Sequence, residues 1–279
     1  MSAFANKSAL VTGASAGLGE EFALQLAELG VTRLAITARR GDRLEELKTT
    51  LTARHPGIYV DMITADLATR EGVTQLLTSL EQSGFAPDIL INNAGLGDLG
   101  TFETSAPDRA EAMMAVNIVA LTRITQWALP AMLAKKAGWI CNVGSTAGFI
   151  PLPTFAVYGA TKAYANSFSE ALRVELHGSG VHVLALCPGP VETEFGAVAS
   201  RANSRRKFAP PAWLCVTKAE VVRQTLAALE AGCARLVPGL LVRFPMLLAE
   251  SMPRWILRLI FNLTSGDYRK ERADRTNRT

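Results

Sequence analysis

A chain of 279 residues with 49% hydrophobic content can bury a large core as one domain, and 19% charged residues are too few for a disordered chain or one that coats nucleic acid. The formal net charge is only +4, and five basic groups (Arg269, Lys270, Arg272, Arg275, Arg278) crowd into the last eleven residues, so part of the basicity belongs to an expected flexible tail over 267–279. Four cysteines without close spacing and three histidines give neither a disulfide framework nor a metal site; with no signal peptide ahead of the first strand-like run, a reducing cytoplasm is the expected location.

Short β-branched runs alternate with longer helical patterns. The first strand is expected over Ala9–Thr12. It leads into Thr12-Gly13-Ala14-Ser15-Ala16-Gly17-Leu18-Gly19, which opens a helix over 18–29. Glycines let the backbone turn sharply and approach a pyrophosphate, which a helix N-terminus attracts. Strand before and helix after make this a dinucleotide site rather than a bare turn, with Gly13, Ser15, Gly17, Leu18 and Gly19 as its residues. The second strand, Arg33–Thr37, runs into Ala38-Arg39-Arg40. An acid here would bind a ribose 2′-hydroxyl, whereas an arginine binds a 2′-phosphate. The expected cofactor is therefore NADP(H), with Arg39 ahead of Arg40 as the phosphate ligand.

Helix 42–54, strand Tyr59–Thr64, helix 69–82 and strand Ile89–Asn92 follow, then a long helical stretch over 107–135 and strand Trp139–Val143. Ser145 stands just past that strand. Tyr158-Gly159-Ala160-Thr161-Lys162 opens the next helix, 156–178. Four residues apart, Tyr158 and Lys162 lie one above the other on a helix face. A buried ammonium beside a phenol favours the phenolate, so Tyr158 can exchange a proton near neutral pH. Strand Val181–Leu186, helix 217–231 and strand Ala234–Val237 complete the pattern. Most strands are continuously apolar, which suits coverage on both faces, and Cys141 and Cys187 read as small core residues. The βαβ rhythm predicts an α/β fold, a Rossmann-like doubly wound parallel sheet flanked by helices. The rhythm breaks after residue 195.

Taken together, these residues resemble the classical short-chain dehydrogenase/reductase family. The matching motifs are Thr12 to Gly19, Asp66-Leu67, Asn92-Asn93-Ala94-Gly95, Asn117, Ser145, Tyr158 with Lys162, and Pro188-Gly189-Pro190-Val191-Glu192-Thr193, in family order over 7–195. The resemblance implies that Asp66 bonds the adenine amino group with Leu67 behind it. It places Asn92 and Gly95, with Asn93 and Ala94 between them, at the wall beside the adenine ribose. Pro188, Gly189, Val191 and Thr193 would flank the nicotinamide. Asn117 would complete an Asn-Ser-Tyr-Lys tetrad and orient a water beside Lys162. The resemblance also implies a homodimer or homotetramer formed through helices 107–135 and 156–178, with Met113, Leu121, Trp127, Phe168 and Leu172 facing outward.

The expected activity is an NADP-dependent hydride transfer, of carbonyl reductase or alcohol dehydrogenase type. Tyr158 would be the general acid, Ser145 would hold the substrate oxygen, and Lys162 would lower the Tyr158 pKa and hold the nicotinamide ribose. The alternative is an NADP-binding redox sensor or scaffold with little turnover. Leu96, Phe149, Leu152, Pro153 and Phe155 suggest an apolar pocket for a lipophilic small-molecule carbonyl or alcohol, bordered by a substrate loop over 195–215. The expected division is a catalytic domain over 1–239, an apolar helical cap over 240–266 and the basic tail. Pro245 and Pro253 suit the starts of two short helices, each too short to span a bilayer. A cap on the substrate cleft, an oligomer contact and a peripheral, interfacial membrane helix all remain open for this segment.

Overall fold

The computed structural model describes residues 2–200 and 211–264. Seven parallel strands form one sheet in the order β3-β2-β1-β4-β5-β6-β7. They are β1 (Ser8–Thr12), β2 (Arg33–Ala38), β3 (Tyr59–Thr64), β4 (Ile89–Asn92), β5 (Gly138–Val143), β6 (Val181–Leu186) and β7 (Arg235–Leu236). The register follows the pleat, with Val11 opposite Ile36 on one side of β1 and opposite Ile91 on the other. Helices α1 (Gly17–Glu28), α2 (Gly41–Arg54) and α8 (Lys218–Glu230) cover one face. Helices α3 (Arg70–Gln82), α5 (Leu121–Lys135) and α6 (Ala156–Glu175) cover the other.

Alternation along each strand feeds two cores. Ala9 and Val11 of β1 pack with Phe22, Leu26, Leu44 and Leu226, while Leu10 between them packs with Leu76, Ile124 and Met132. Each such fully buried side chain contributes about 1.5–3 kcal/mol of transfer free energy. Both buried cysteines are free thiols, Cys141 in the first of these cores and Cys187 in a small separate cluster with Ala185, Val237 and Val242. Two of the helices begin on a threonine cap. Thr69 caps α3 by accepting from Gly72 N, and Thr217 caps α8 by accepting from Glu220 N.

The expected elements form, with local differences. The stretch 107–135 divides into α4 (Pro107–Met114), a π-wound segment (Ala115–Ala120) and α5. Helix α6 stops at Glu175 because the chain then turns through Gly178 and Gly180, both at positive φ. A side chain on Gly180 would strike the Lys136 carbonyl. Strand β7 is shorter than expected, since only Arg235 and Leu236 pair with β6.

Two expectations fail in this part of the molecule, the first in part. Met113, Leu121 and Leu172 are buried in the monomer, Trp127 is bonded to Glu81 and Phe168 is stacked on Tyr164. Met113, Leu121 and Leu172 are therefore unavailable to an oligomer face, whereas Trp127 and Phe168 pack against the same core but stay partly exposed. Pro245 does not start a helix, because α9 (Leu240–Ser251) begins five residues earlier, after Gly239 at φ 82°. Pro253 does immediately precede α10 (Arg254–Thr264). The basic tail lies outside the described residues.

Candidate active site

The sheet order reverses between β1 and β4, and the crevice at the carboxyl ends of these strands is where an open α/β sheet receives a ligand. A cavity of about 610 Å³ occupies it. Gly13 (φ 68°) and Gly17 (φ 60°) take the left-handed conformation that lets the first turn double back into α1. A Cβ on Gly13 would lie 2.8 Å from Ala94 Cα. The loop is clamped from across the sheet. The Asn93 side-chain amide donates to the Thr12 and Gly13 carbonyls at 2.8 and 3.2 Å, and Thr12 Oγ1 accepts from the backbone N–H groups of Asn93 and Ala94. The result is a bare backbone cradle at the N-terminus of α1, which fits a dinucleotide pyrophosphate.

Gly13, Ser15, Gly17, Leu18, Arg39, Arg40, Asp66, Leu67, Asn93, Ala94, Gly95, Pro188, Gly189, Val191 and Thr193 all line this cavity. Two expected ligands do not. Gly19 is buried under the loop, where a side chain would collide with the Gly13 carbonyl and the Asn93 amide. Asn92 is buried behind the sheet and donates at 2.8 Å to both Thr125 Oγ1 and Asn142 Oδ1. Side chains alternate along β4, so Asn92 faces the helices while its neighbour Asn93 faces the loop.

The adenosine end carries charge. Asp66 Oδ1 accepts from Ala68 N. Arg40 donates to Ser15 Oγ and to the Ser15 carbonyl, and its guanidinium pairs with Glu194 at 3.0 Å, reaching across the mouth of the cleft. Arg39 has no hydrogen bond or ion pair among the described residues. It can meet a phosphate without first surrendering a partner.

The chemistry sits at the other end. Ser145 follows β5 with extended backbone and caps a short turn by accepting from Ala147 N, while its own hydroxyl donates to the Pro188 carbonyl at 3.4 Å. Tyr158 is packed between the Phe155 and Phe195 rings, each centroid 5.4 Å away. Lys162 lies one turn further, its Nζ donating to the Val143 carbonyl at 2.7 Å and standing 5.8 Å from the Tyr158 ring centre. Asn117 projects from the π-wound segment and does not itself line the cavity. Its amide donates to the Leu96 carbonyl and Thr161 Oγ1, and its Oδ1 accepts from Leu96 N. A Cβ built on Gly95 would lie 3.3 Å from Lys162 Nζ and 3.4 Å from Asn117 Oδ1, so these two groups face a common point.

Electrostatics here differ from the expectation. Burial pushes the Tyr158 phenol up to about 12, with the Ser145 hydroxyl pulling the other way. Burial also pushes Lys162 down to about 8. Desolvation outweighs ammonium–phenol attraction because Nζ sits over the ring and against Val143, not on the phenolic oxygen. The phenol therefore stays protonated through the neutral range.

The substrate end is apolar. Leu96, Leu152 and Phe155 line it as expected, joined by Ile150, Phe195, Val198 and Met246. Phe149 does not. It packs near Cys187, Val237 and Val242 with the Arg235 guanidinium 5.2 Å from its ring centre. Pro153 is also outside the cavity lining, because the turn through Thr154 (φ 67°) carries it past the mouth. Helix α7 (Phe195–Ala199) supplies Phe195 and Val198 and is braced by Arg109, which donates to the Gly97, Val198 and Ala199 carbonyls and pairs with Asp98. Of the expected substrate loop, 201–210 lie outside the described residues. Met246 comes from α9, whose Val242 fills the space beside Gly189.

A family model described as short chain dehydrogenase matches residues 7–204. The NADP-dependent 3-hydroxy acid dehydrogenase YdfG of Salmonella typhi is 38% identical over 199 residues, covering 71% of this chain and 78% of the relative. Among solved structures, a short-chain dehydrogenase from Sphingobium yanoikuyae in complex with NADPH superposes with a TM-score of 0.75 at 28% identity, over 89% of this chain and 97% of the other. The bulky-bulky ketone specific alcohol dehydrogenase of Comamonas testosteroni gives 0.73 at 27% identity, over 89% and 95%. The chain belongs to the short-chain dehydrogenase family and is an oxidoreductase by class.

Proposed function

We propose that the protein transfers a hydride between NADP(H) and the carbonyl or secondary alcohol of a lipophilic small molecule. The cofactor is NADP(H): the glycine cradle takes the pyrophosphate and Arg39 the 2′-phosphate, as befits a chain similar to NADP-dependent and NADPH-bound proteins. The observation that carries the reading is the convergence of Ser145, Tyr158 and Lys162 with that cradle in one cleft whose far end is apolar.

The glycine cradle and Arg39 would hold NADPH, which when bound would supply a hydride for the carbonyl carbon. Tyr158, protonated below about 12, gives its phenolic proton to the carbonyl oxygen. The Ser145 hydroxyl turns from the Pro188 carbonyl to the same oxygen and stabilises charge as it develops. Lys162 holds a ribose hydroxyl and, as a cation below about 8, favours the phenolate left behind. Asn117 keeps Leu96 and Thr161 in place beside it. Phe155 and Phe195 exclude water from the phenol.

The likeness to a 3-hydroxy acid dehydrogenase favours a second reading, an acidic substrate. A carboxylate needs a cation, and Lys162 is the one lysine or arginine near the reacting end among the described lining residues. Arg201, Arg205, Arg206 and Lys207 lie outside them. Following reduced-nicotinamide absorbance with bulky ketones and with 3-hydroxy acids tests both. Higher kcat/KM for the ketones supports the lipophilic substrate, the reverse supports the acid, and cofactor binding without turnover of either refutes both in favour of a sensor.

A further inference from the structure

Nine of the seventeen exposed large hydrophobic residues among the described ones fall within 240–263. On α9, Val242 is buried and Met246 reaches the pocket, while Leu241, Phe244 and Leu248 point the other way, Phe244 at 76% exposure. On α10, Leu257 is buried. Arg254, Arg258 and Asn262, four residues apart, form an exposed stripe, and Trp255, Leu259 and Leu263 at the same spacing form an apolar one beside it. Trp255 is 65% exposed and Leu263 is 76% exposed. Scattered exposed leucines need no explanation, but two consecutive helices with apolar outer faces do.

Charge decides what covers them. Helix α10 has arginines and no acid. Glu250, the one acid of α9, is already paired with Arg235 at 2.7 Å. Residues 240–279 hold eight lysines and arginines against four acids, an excess equal to the formal net charge of the whole chain. A second copy apposed through these helices would bring the same arginines and no unpaired acid on either helix to answer them, whereas anionic headgroups complement them. At 12 and 11 residues the helices are too short to cross a bilayer, which leaves them in its surface.

We propose that α9 and α10 dock the protein onto an anionic lipid surface. Phe244, Leu248, Trp255, Leu259 and Leu263 enter the boundary between headgroups and acyl chains, and Arg254 and Arg258 meet the phosphates. Because Met246 of α9 walls the apolar end of the pocket, docking sets that end beside the membrane.

The test is flotation of the full-length protein with vesicles of equal parts phosphatidylglycerol and phosphatidylcholine, and with phosphatidylcholine alone, at physiological salt. The expected result is flotation with the anionic vesicles. Partitioning should fall about tenfold in a Phe244→Glu, Leu259→Glu double variant, because less apolar surface is buried. It should fall severalfold in an Arg254→Gln, Arg258→Gln variant. Both pairs are exposed, and NADPH oxidation at wild-type rate shows that the variants are folded. Absence of flotation overturns the proposal. So does flotation that salt abolishes but Phe244→Glu, Leu259→Glu leaves unchanged, which assigns binding to the basic tail alone. A lipid-free dimer in sedimentation that the same double variant dissolves, without flotation of the wild type, overturns it in favour of a second copy.

Discussion

Arg39 should decide between the two nicotinamide cofactors. It is exposed, lines the adenosine end and has no hydrogen bond or ion pair among the described residues, so Arg39→Ala removes nothing from the protein alone. Its effect on stability should stay within about 0.5 kcal/mol. A charge-assisted hydrogen bond to a phosphate contributes about 1.5–3 kcal/mol, and each 1.4 kcal/mol is tenfold, so kcat/KM for NADPH should fall about ten- to hundredfold. NADH has no 2′-phosphate, and its kcat/KM should stay within about twofold by the same argument. Arg39→Asp should lower the NADPH/NADH ratio further, since it adds repulsion and offers an acceptor to a 2′-hydroxyl. Arg40→Ala opens the half-exposed pair with Glu194, worth at most about 1 kcal/mol, and should change the ratio less. Initial rates with both cofactors at saturating ketone measure all of this. An equal loss with NADPH and NADH in Arg39→Ala, or a preference abolished by Arg40→Ala alone, refutes the reasoning.

Tyr158→Phe keeps the ring between Phe155 and Phe195 but removes the proton, so turnover should fall on the order of 10²-fold or more while NADPH binding by fluorescence is retained; near-normal turnover would take Tyr158 out of the mechanism. Lys162 is a cation below about 8 and neutral above it, so kcat/KM for carbonyl reduction should be level on the acid side and decline as pH rises through about 8. Tyr158, protonated up to about 12, should add no break in that window; a profile flat through pH 8 would deny Lys162 an electrostatic role. Met246→Ala should raise KM for bulky ketones severalfold and more than KM for NADPH, because Met246 is one of the apolar side chains lining the cleft; an unchanged ketone KM would show that α9 is no part of the pocket.

Much of the site was legible because its residues lie at strand ends, where sequence order and spatial order coincide. Gly13, Arg39, Ser145 and Gly189 each follow the end of a strand, and a parallel sheet gathers those ends along one edge. Asn92 and Asn93 show the limit: two identical adjacent residues face opposite sides of a strand, and nothing in the letters says which faces the loop. The sign of the Tyr158 shift was equally hidden, since it depends on how closely Phe155 and Phe195 shut out water, and Phe195 arrives from 37 residues away. Met246 was covered only by the expectation of an apolar cap over 240–266, because nothing in that run of Leu, Phe and Met says which side chain turns into the cleft. Arg109 went unnoticed, since its partners are backbone carbonyls at the end of α7 that only the folded chain brings to it.

The clamp of Asn93 on Thr12 ties the shape of the glycine loop to the order in which the chain folds. The two residues are 81 positions apart, and β1 meets β4 only across an intervening stretch of three helices and two strands. Local βαβ units on either side can collapse early, but closing so long a loop is entropically slow, and until it closes the Gly13 carbonyl and the Thr12 hydroxyl have no partners from across the sheet. Nucleotide affinity in a refolding chain is therefore a late event that reports the joining of the two halves of the sheet. Conversely, a bound nucleotide selects the joined state and shifts the folding equilibrium toward it by mass action. Supply of the cofactor would then govern how long the newly made chain spends open at its central seam.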